Sequence, residues 1–250
     1  MSDRTISHQK IDHCMMIQIG IPVDEQGTMA QVSNELADLC SEIAWNEEIR
    51  VVVLAYAGEL SQSRGADFGQ YTQIEPSCLV APIAKLKQPV IAAIKGDGVG
   101  LGLELALACD IRIGTAGSRF GLPTIGKGLI PSNGGTQRLP RLVGRGKALE
   151  MVLTGELIDA AEAQRIGLLN RVVDSGELVN TAIGLAQEIA SKSPLAVSYV
   201  KEALYNGIDL TLDQGMRMEL DLYLLLFTTS DRTEGITAFN EKRKARFEGT

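Results

Sequence analysis

The segment "KGDGVGLGLELALACD", from Lys95 to Asp110, joins a glycine repeat to one acid in apolar surroundings. Glycine occupies alternate positions from 96 to 102, and Glu104 follows among leucines and alanines. Glycine lets a ligand approach the backbone closely, and unpaired N–H groups at a helix start can stabilise a developing oxyanion. Glu104 is therefore a candidate general acid or base, and a structural cap or ion pair is an equally open role.

The glycine repeat does not fit a nucleotide-binding loop. The dinucleotide motif G-x-G-x-x-G requires its third glycine at a position where this chain has Leu101 or Leu103. The segment "GLPTIGKG", starting at Gly121, is close to a phosphate-binding loop, but Gly128 stands where a magnesium-binding serine or threonine is required. Both nucleotide interpretations are disfavoured.

A second stretch, "SRGADF" from Ser63 to Phe68, follows an apolar run in the same way as the glycine repeat. The small residues Gly65 and Ala66 could expose another backbone N–H group. Two parallel strands that end in two such loops could supply both halves of an oxyanion hole. Taken alone, the stretch is also typical of an ordinary loop.

Composition excludes several other classes of function. Only His8 and His13 are present, both near the N-terminus, which disfavours histidine-dependent triads and zinc sites. A net charge of -7 argues against a nucleic-acid-binding surface, and widely spaced cysteines favour a reduced chain. No apolar run approaches the ~18 residues of a membrane span, and the N-terminus has no apolar signal region. We expect a cytoplasmic protein with no metal, nucleic-acid or membrane partner.

The glycine repeat must be positioned by the elements around it. Short runs rich in valine and isoleucine predict five strands: Met15–Ile19, Val51–Tyr56, Val90–Ile94, Ile111–Gly114 and Arg171–Val173. Two helical patterns lie between the first three of these strands: Met29–Trp45, with Thr28 as the predicted N-cap, and Leu79–Lys87. This alternation predicts an α/β fold with parallel strands and helical crossovers.

The second half of the chain is mainly helical in pattern. The predicted helices are Gly134–Leu142, Lys147–Thr154, Ala160–Ile166, Glu177–Ser191, Leu195–Asn206, Leu212–Thr228 and Arg232–Phe247. We place a domain boundary near residue 190, with residues 1–190 as the core that carries the site and residues 191–250 as a helical region. A basic cluster, Lys242, Arg243, Lys244 and Arg246, is predicted to be the solvated end of the last helix.

These motifs together resemble the crotonase superfamily, the enoyl-CoA hydratase/isomerase family. The resemblance is carried by "SRGADF", "PVIAAIKGDGVGLGLELALACDIRIGT", "SRFGLPTIGKGLIPSNGGTQRLPRLVGR", "ALEMVLTGELIDAAEAQRIGLLNRVV" and "DRTEGITAFNEKRKARF". The matching motifs run from about Val51 to Phe247, whereas the N-terminal part, including "IGIPVDEQGTM", matches poorly.

The resemblance implies a crotonase (ClpP-like) fold of repeated ββα units, followed by a C-terminal helical trimerisation region. It implies a homotrimer or a dimer of trimers, and an acyl-CoA substrate that brings coenzyme A with it, so no separate cofactor is expected. The oxyanion N–H groups would belong to Ala66 and Leu101, and Glu104 stands where hydratases keep their first catalytic glutamate. The expected substrate and CoA contacts are Ser63, Arg64, Asp67, Phe68, Gly100, Tyr223 and Lys242.

One departure from the family pattern concerns the second catalytic glutamate, which the usual hydratase carries in a "PE" pair. Here the pair is Pro123–Thr124, and a threonine hydroxyl can bind water but does not titrate near neutral pH. The favoured prediction is an enoyl-CoA hydratase in which Glu104 is the acid/base and Thr124 only positions the water. The alternatives are cyclic dienoyl-CoA hydration, thioester hydrolysis, decarboxylation, and acyl-CoA binding with little turnover.

Overall fold

The computed structural model describes residues 6–20, 26–57 and 79–250. The strands are β1 Ile6–Ile11, β2 Cys14–Ile19, β3 Val51–Ala57, β4 Val90–Lys95, β5 Gly98–Val99, β6 Ile111–Thr115, β7 Arg119–Gly121, β8 Ile158–Asp159 and β9 Arg171–Val173. The helices are α1 Gln26–Trp45, α2 Val80–Ala84, α3 Leu101–Leu107, α4 Gly135–Val143, α5 Arg145–Thr154, α6 Ala160–Arg165, α7 Leu178–Ala190, α8 Pro194–Gly207, α9 Leu212–Leu226 and α10 Ser230–Asn240. A short 3-10 helix covers Pro123–Lys127.

The strands of the described ranges form two sheets. The larger has the order β1-β2-β3-β4-β6-β9, and the smaller has the order β5-β7-β8. In the larger sheet, β1 and β2 form an antiparallel pair, while every other neighbouring pair is parallel. All five predicted strands are present, and the prediction of parallel pairing is confirmed.

Both faces of the larger sheet are covered, which explains the nearly continuous apolar runs of its strands. Alternate residues such as Val52, Leu54 and Ile94 pack into the main core with α1 and α3. Their neighbours, such as Val53 and Ile91, pack with α7 on the opposite face. Valine and isoleucine suit these positions because their branched side chains fill a pleated surface.

Four strands of the described ranges were not predicted. Strand β1 reads "ISHQKI" and is mostly exposed, so no apolar pattern marks it. Strands β5, β7 and β8 have only two or three residues, too few to show a periodicity of two. The prediction of Thr28 as an N-cap is wrong, because helix α1 already begins at Gln26.

The helices that follow residue 190 lie outside the sheets. Neither α8 nor α9 buries a side chain, and α9 begins with a capping box between Thr211 and Gln214. Large apolar side chains are exposed on this pair of helices: Val200, Leu204, Leu212, Met216, Leu220 and Leu224. No helix in the described ranges has both the length and the apolar character needed to cross a membrane. The division into two domains near residue 190 stays a prediction.

The basic cluster is not the end of a helix. Helix α10 ends at Asn240, and Lys242 adopts a left-handed conformation with φ of 54°. Arg243 turns back and donates to both carboxylate oxygens of Glu234, at 2.6 and 2.8 Å. The buried Asp231 accepts the N–H groups of residues 248 and 249, so it binds a tail that folds back along the helix. The predicted helix to Phe247 was therefore too long.

Candidate active site

The glycine repeat forms the connection from β4 through β5 into α3. Gly100 takes a conformation that favours glycine, with φ of 60° and ψ of -122°, and directly precedes the helix. Its N–H donates to the Gly121 carbonyl at 2.9 Å, and its carbonyl accepts the N–H of Glu104 at 3.0 Å. Leu101 is the first helical residue, so its N–H has no carbonyl to bond within the helix.

Close packing fixes this connection against its neighbours. A Cβ added at Gly98 would lie 2.6 Å from the ring of Phe120, so only glycine lets β5 lie against β7. On the other side, the buried hydroxyl of Tyr56 in β3 donates to the Gly102 carbonyl at 2.8 Å. The first turn of α3 is thereby tied to both sheets.

The other half of the predicted oxyanion hole lies outside the described residues. Strand β3 ends at Ala57, which is paired with Lys95 at the end of β4. The last residue of β3 therefore lies beside the end of β4, where the glycine repeat begins. Five predicted site residues fall in the range 58–78, which the structure does not describe: Ser63, Arg64, Ala66, Asp67 and Phe68.

Glu104 is fully buried and is bound by the turn that leads into α4. Its Oε1 accepts the N–H of Asn133 at 2.7 Å and the N–H of Gly135 at 3.0 Å. Its Oε2 accepts the side-chain amide of Asn133 at 3.4 Å. The carboxylate thus caps the positive end of α4, as the structural alternative anticipated. The cap uses mainly Oε1, and Oε2 keeps capacity for a further hydrogen bond.

Glycine is required where the turn meets the carboxylate. A Cβ at Gly135 would lie 2.8 Å from carbon atoms of both Leu122 and Pro131, and 3.1 Å from Oε1 of Glu104. The turn is also fixed from behind, since Arg138 donates to the Asn133 carbonyl at 2.9 Å. The two N–H donors of Glu104 are therefore held by the packing of the turn.

Thr124 lies in the 3-10 helix that follows β7. The Gly121 carbonyl accepts the N–H of Gly100, so the strand that leads into this 3-10 helix is bonded to the residue that precedes α3. Thr124 is buried, and its hydroxyl has no hydrogen-bond partner among the described residues. A buried hydroxyl normally has a partner, so this one indicates a place for water or a ligand group.

The remaining predicted contacts are not brought to this site within one chain. Tyr223 lies on α9, is 56% exposed and packs edge-to-face on Phe227. Lys242 is exposed in the tail beyond α10. In the described ranges, neither residue forms a hydrogen bond or ring contact with the loops around Glu104. The structure thus places Gly100, Leu101 and Glu104 on one connection, with Thr124 three residues beyond the hydrogen-bond partner of Gly100, and shows no bond from them to the C-terminal pair.

The sequence patterns did not single out the donors that hold Glu104. Asn133 and Gly135 are 29 and 31 residues further along the chain, and no local pattern links them to the glutamate. The double glycine at 134 and 135 was the available signal, because adjacent glycines often mark close backbone approach.

The described cysteines offer no alternative nucleophile. Burial raises the pKa of the Cys109 thiol to about 12, and burial also raises that of Cys40 to about 12. Burial, with the nearby Asp12 charge, raises the pKa of Cys14 as well. Since the thiolate is the reactive form, these thiols are inert near neutral pH.

The comparisons with known proteins agree on one family. A family profile described as enoyl-CoA hydratase/isomerase matches residues 13–250. A short-chain-enoyl-CoA hydratase of Clostridium acetobutylicum is 39% identical over 220 residues, covering 84% of each chain. A crotonyl-CoA hydratase of Syntrophomonas wolfei is 43% identical over 194 residues, covering 78% of this chain and 73% of the relative. The crystal structure of an enoyl-CoA hydratase from Bacillus anthracis superposes with a TM-score of 0.87, at 37% identity, over 99% of this chain and all of the other.

Proposed function

The chain belongs to the enoyl-CoA hydratase/isomerase family, with the crotonase fold, and we propose that it hydrates α,β-unsaturated acyl-CoA with Glu104 as its acid/base. It is a hydro-lyase that acts on acyl-CoA. The observation that carries the proposal is the buried Glu104 carboxylate, whose Oε2 retains hydrogen-bonding capacity beside the start of α3.

The proposed site binds the thioester carbonyl first. The N–H of Leu101 and the N–H of Ala66 donate to the carbonyl oxygen, which becomes negatively charged as water adds to the double bond. Support for Leu101 comes from its place at the start of α3, where an N–H lacks a helical partner. The CoA moiety would contact Gly100 and the residues 63–68, and would reach Tyr223 and Lys242 of a neighbouring subunit.

The addition of water then needs one proton acceptor and one proton donor. Thr124 holds the water with its hydroxyl, and Glu104 removes a proton as the water oxygen bonds to Cβ of the substrate. The electron pair of the double bond moves to the thioester, giving an enolate that the two N–H groups stabilise. Glu104 returns the proton to Cα, so one carboxyl group completes both steps.

Short-chain enoyl thioesters are the proposed substrates. Support comes from two relatives, at 39% and 43% identity, whose names specify short-chain enoyl-CoA and crotonyl-CoA. Crotonyl-CoA is therefore the first substrate to test, and mass analysis of the product separates the proposed reaction from its alternatives. Hydration adds the mass of water to the intact thioester, hydrolysis releases free CoA, and an acyl-CoA-binding protein leaves the thioester unchanged.

Replacing Thr124 with valine tests the role of the unpartnered hydroxyl. Valine has nearly the same shape, so the free energy of unfolding should stay equal or rise by about 1 kcal/mol, because a buried hydroxyl without a protein partner is removed. Hydration of crotonyl-CoA should nevertheless fall about tenfold in kcat, since the water loses a hydrogen-bond partner. Thr124→Ser, which keeps the hydroxyl, is the matched control. Full activity in the valine variant would contradict this role of Thr124.

We also propose that the protein is a homotrimer or a dimer of trimers that associates through α8 and α9. The supporting observation is the set of exposed apolar side chains on these helices, including Leu220 and Leu224. The double variant Leu220→Glu/Leu224→Glu should sediment as smaller species than the wild type, which should have the mass of a trimer or hexamer. Trp45→Glu, at an exposed site on α1, is the control. A monomeric wild type would refute the proposal.

The free cysteines also support a cytoplasmic location.

A further inference from the structure

Asp97 and Arg119 form a forked ion pair at the start of the two short strands β5 and β7. Oδ1 of Asp97 accepts the backbone N–H of Arg119 at 2.8 Å. Oδ2 accepts the guanidinium Nε at 3.1 Å and Nη2 at 2.7 Å. The two guanidinium donors converge on Oδ2 while the backbone N–H takes Oδ1, so three charge-assisted hydrogen bonds hold both oxygens of the carboxylate. The turn before β5 is thereby attached to the first residue of β7.

Strand β5 depends on such an attachment because it is short. It has two residues, and it pairs with β7 only through Gly98 and Val99. The bond from the Gly100 N–H to the Gly121 carbonyl continues this pairing to the residue before Leu101. A displacement of β5 along β7 would therefore move the N–H of Leu101 by a similar amount.

The same turn has one other polar attachment among the described residues. The N–H of Gly96 donates to the Thr115 hydroxyl at 3.0 Å, and that hydroxyl lies 2.6 Å from the hydroxyl of Ser118. These bonds are neutral, whereas Asp97 carries a charge. Desolvation raises the pKa of the Asp97 carboxyl, but hydrogen bonds from the side chain and backbone of Arg119 outweigh it and hold the pKa below its ordinary value. The pair is thus ionised at neutral pH.

We propose that Asp97 and Arg119 are positioning residues that hold the N–H of Leu101 at the thioester oxygen. The proposal rests on the proposed role of that N–H. A donor stabilises a developing oxyanion only if it is already in place, so a small displacement weakens the transition state more than the bound substrate. The loss should therefore appear in kcat rather than in KM.

The test compares Asp97→Asn and Arg119→Leu with the wild type. With crotonyl-CoA, kcat should fall about tenfold, as expected for a displacement of a few tenths of an ångström. KM should change by less than about twofold. A dialkylaminocinnamoyl-CoA should show a smaller red shift of its absorbance on binding, because its carbonyl is less polarised. Glu162→Gln, which breaks the forked pair with Arg165 on α6, is the matched control and should change none of these values.

Asp97→Arg and Arg119→Asp should each lower kcat and the red shift. The double variant Asp97→Arg/Arg119→Asp, which restores an ion pair in the opposite orientation, should recover part of both. Wild-type kcat and red shift in folded Asp97→Asn and Arg119→Leu would overturn the positioning role. If neither variant folds, Arg119→Lys, which keeps the charge and loses the fork, gives the same readouts. A wild type with neither hydration nor a red shift would instead refute the proposed function.

Discussion

Glu104→Gln is expected to abolish nearly all hydration of crotonyl-CoA, with kcat reduced about 10²–10⁴-fold, the usual contribution of a general acid/base. Glutamine has the same shape, and its carbonyl oxygen can still accept the N–H groups of Asn133 and Gly135. The turn into α4 should therefore persist. What glutamine cannot do is take a proton from water and return it to Cα.

Two measurements make this result specific to Glu104. Hydration is followed by the loss of enoyl-thioester absorbance, and binding of a saturated acyl-CoA is measured by calorimetry. Binding should be retained, since the predicted CoA contacts lie elsewhere. Glu150→Gln, at a surface glutamate of α5 paired with Lys147, is the control and should keep wild-type kcat. Substantial turnover by Glu104→Gln would remove this residue from the mechanism.

Leu101→Pro should be the second most damaging substitution, because proline has no N–H to donate to the thioester oxygen. Loss of one oxyanion donor typically lowers kcat about 10²–10³-fold. Proline is well tolerated at the first position of a helix, and Leu101 occupies that position in α3. The backbone should therefore keep its path, and the bond between Gly100 and Gly121 should remain.

Leu101→Ala is the control for this experiment. The Leu101 side chain is buried, so both variants lose core packing, and alanine should lower the free energy of unfolding by about 2–5 kcal/mol. Only proline removes the N–H. If the two variants lose kcat equally, the side chain matters rather than the backbone, and Leu101 is not an oxyanion donor.

Sequence patterns predicted the elements that carry their own signal. The five apolar strands are local features, and the structure has their ends within one residue of the prediction. The short strands β5 and β7 have no such signal, since Gly98 and Gly121 are there to permit contact rather than to favour extended backbone. Their pairing follows from packing against Phe120, which a local pattern cannot show.

For the candidate site, too, the sequence indicated some residues and missed others. Glu104 became a candidate from its own motif, whereas the resemblance assigned roles to Leu101 and Thr124, and these roles stay predictions. The partners of Glu104 could not be predicted, since Asn133 lies 29 residues away in another loop. The last helix was predicted to be too long because Arg243 and its neighbours suit a helix, whereas the bonds to Glu234 and Asp231 favour a folded tail.

The way Glu104 is held has a consequence for how this site can vary between proteins. Its two short hydrogen bonds come from main-chain N–H groups, which every residue except proline provides. The turn must keep glycine at 135 and avoid proline at 133, but the hydrogen bonds to the carboxylate come from Asn133 and Gly135 and not from the exposed side chains of Ser132 and Thr136. Substitutions at these positions could reshape the surface near the substrate while the acid stays in place. The main chain of this turn thus holds the catalytic glutamate, while its exposed side chains can change with the substrate.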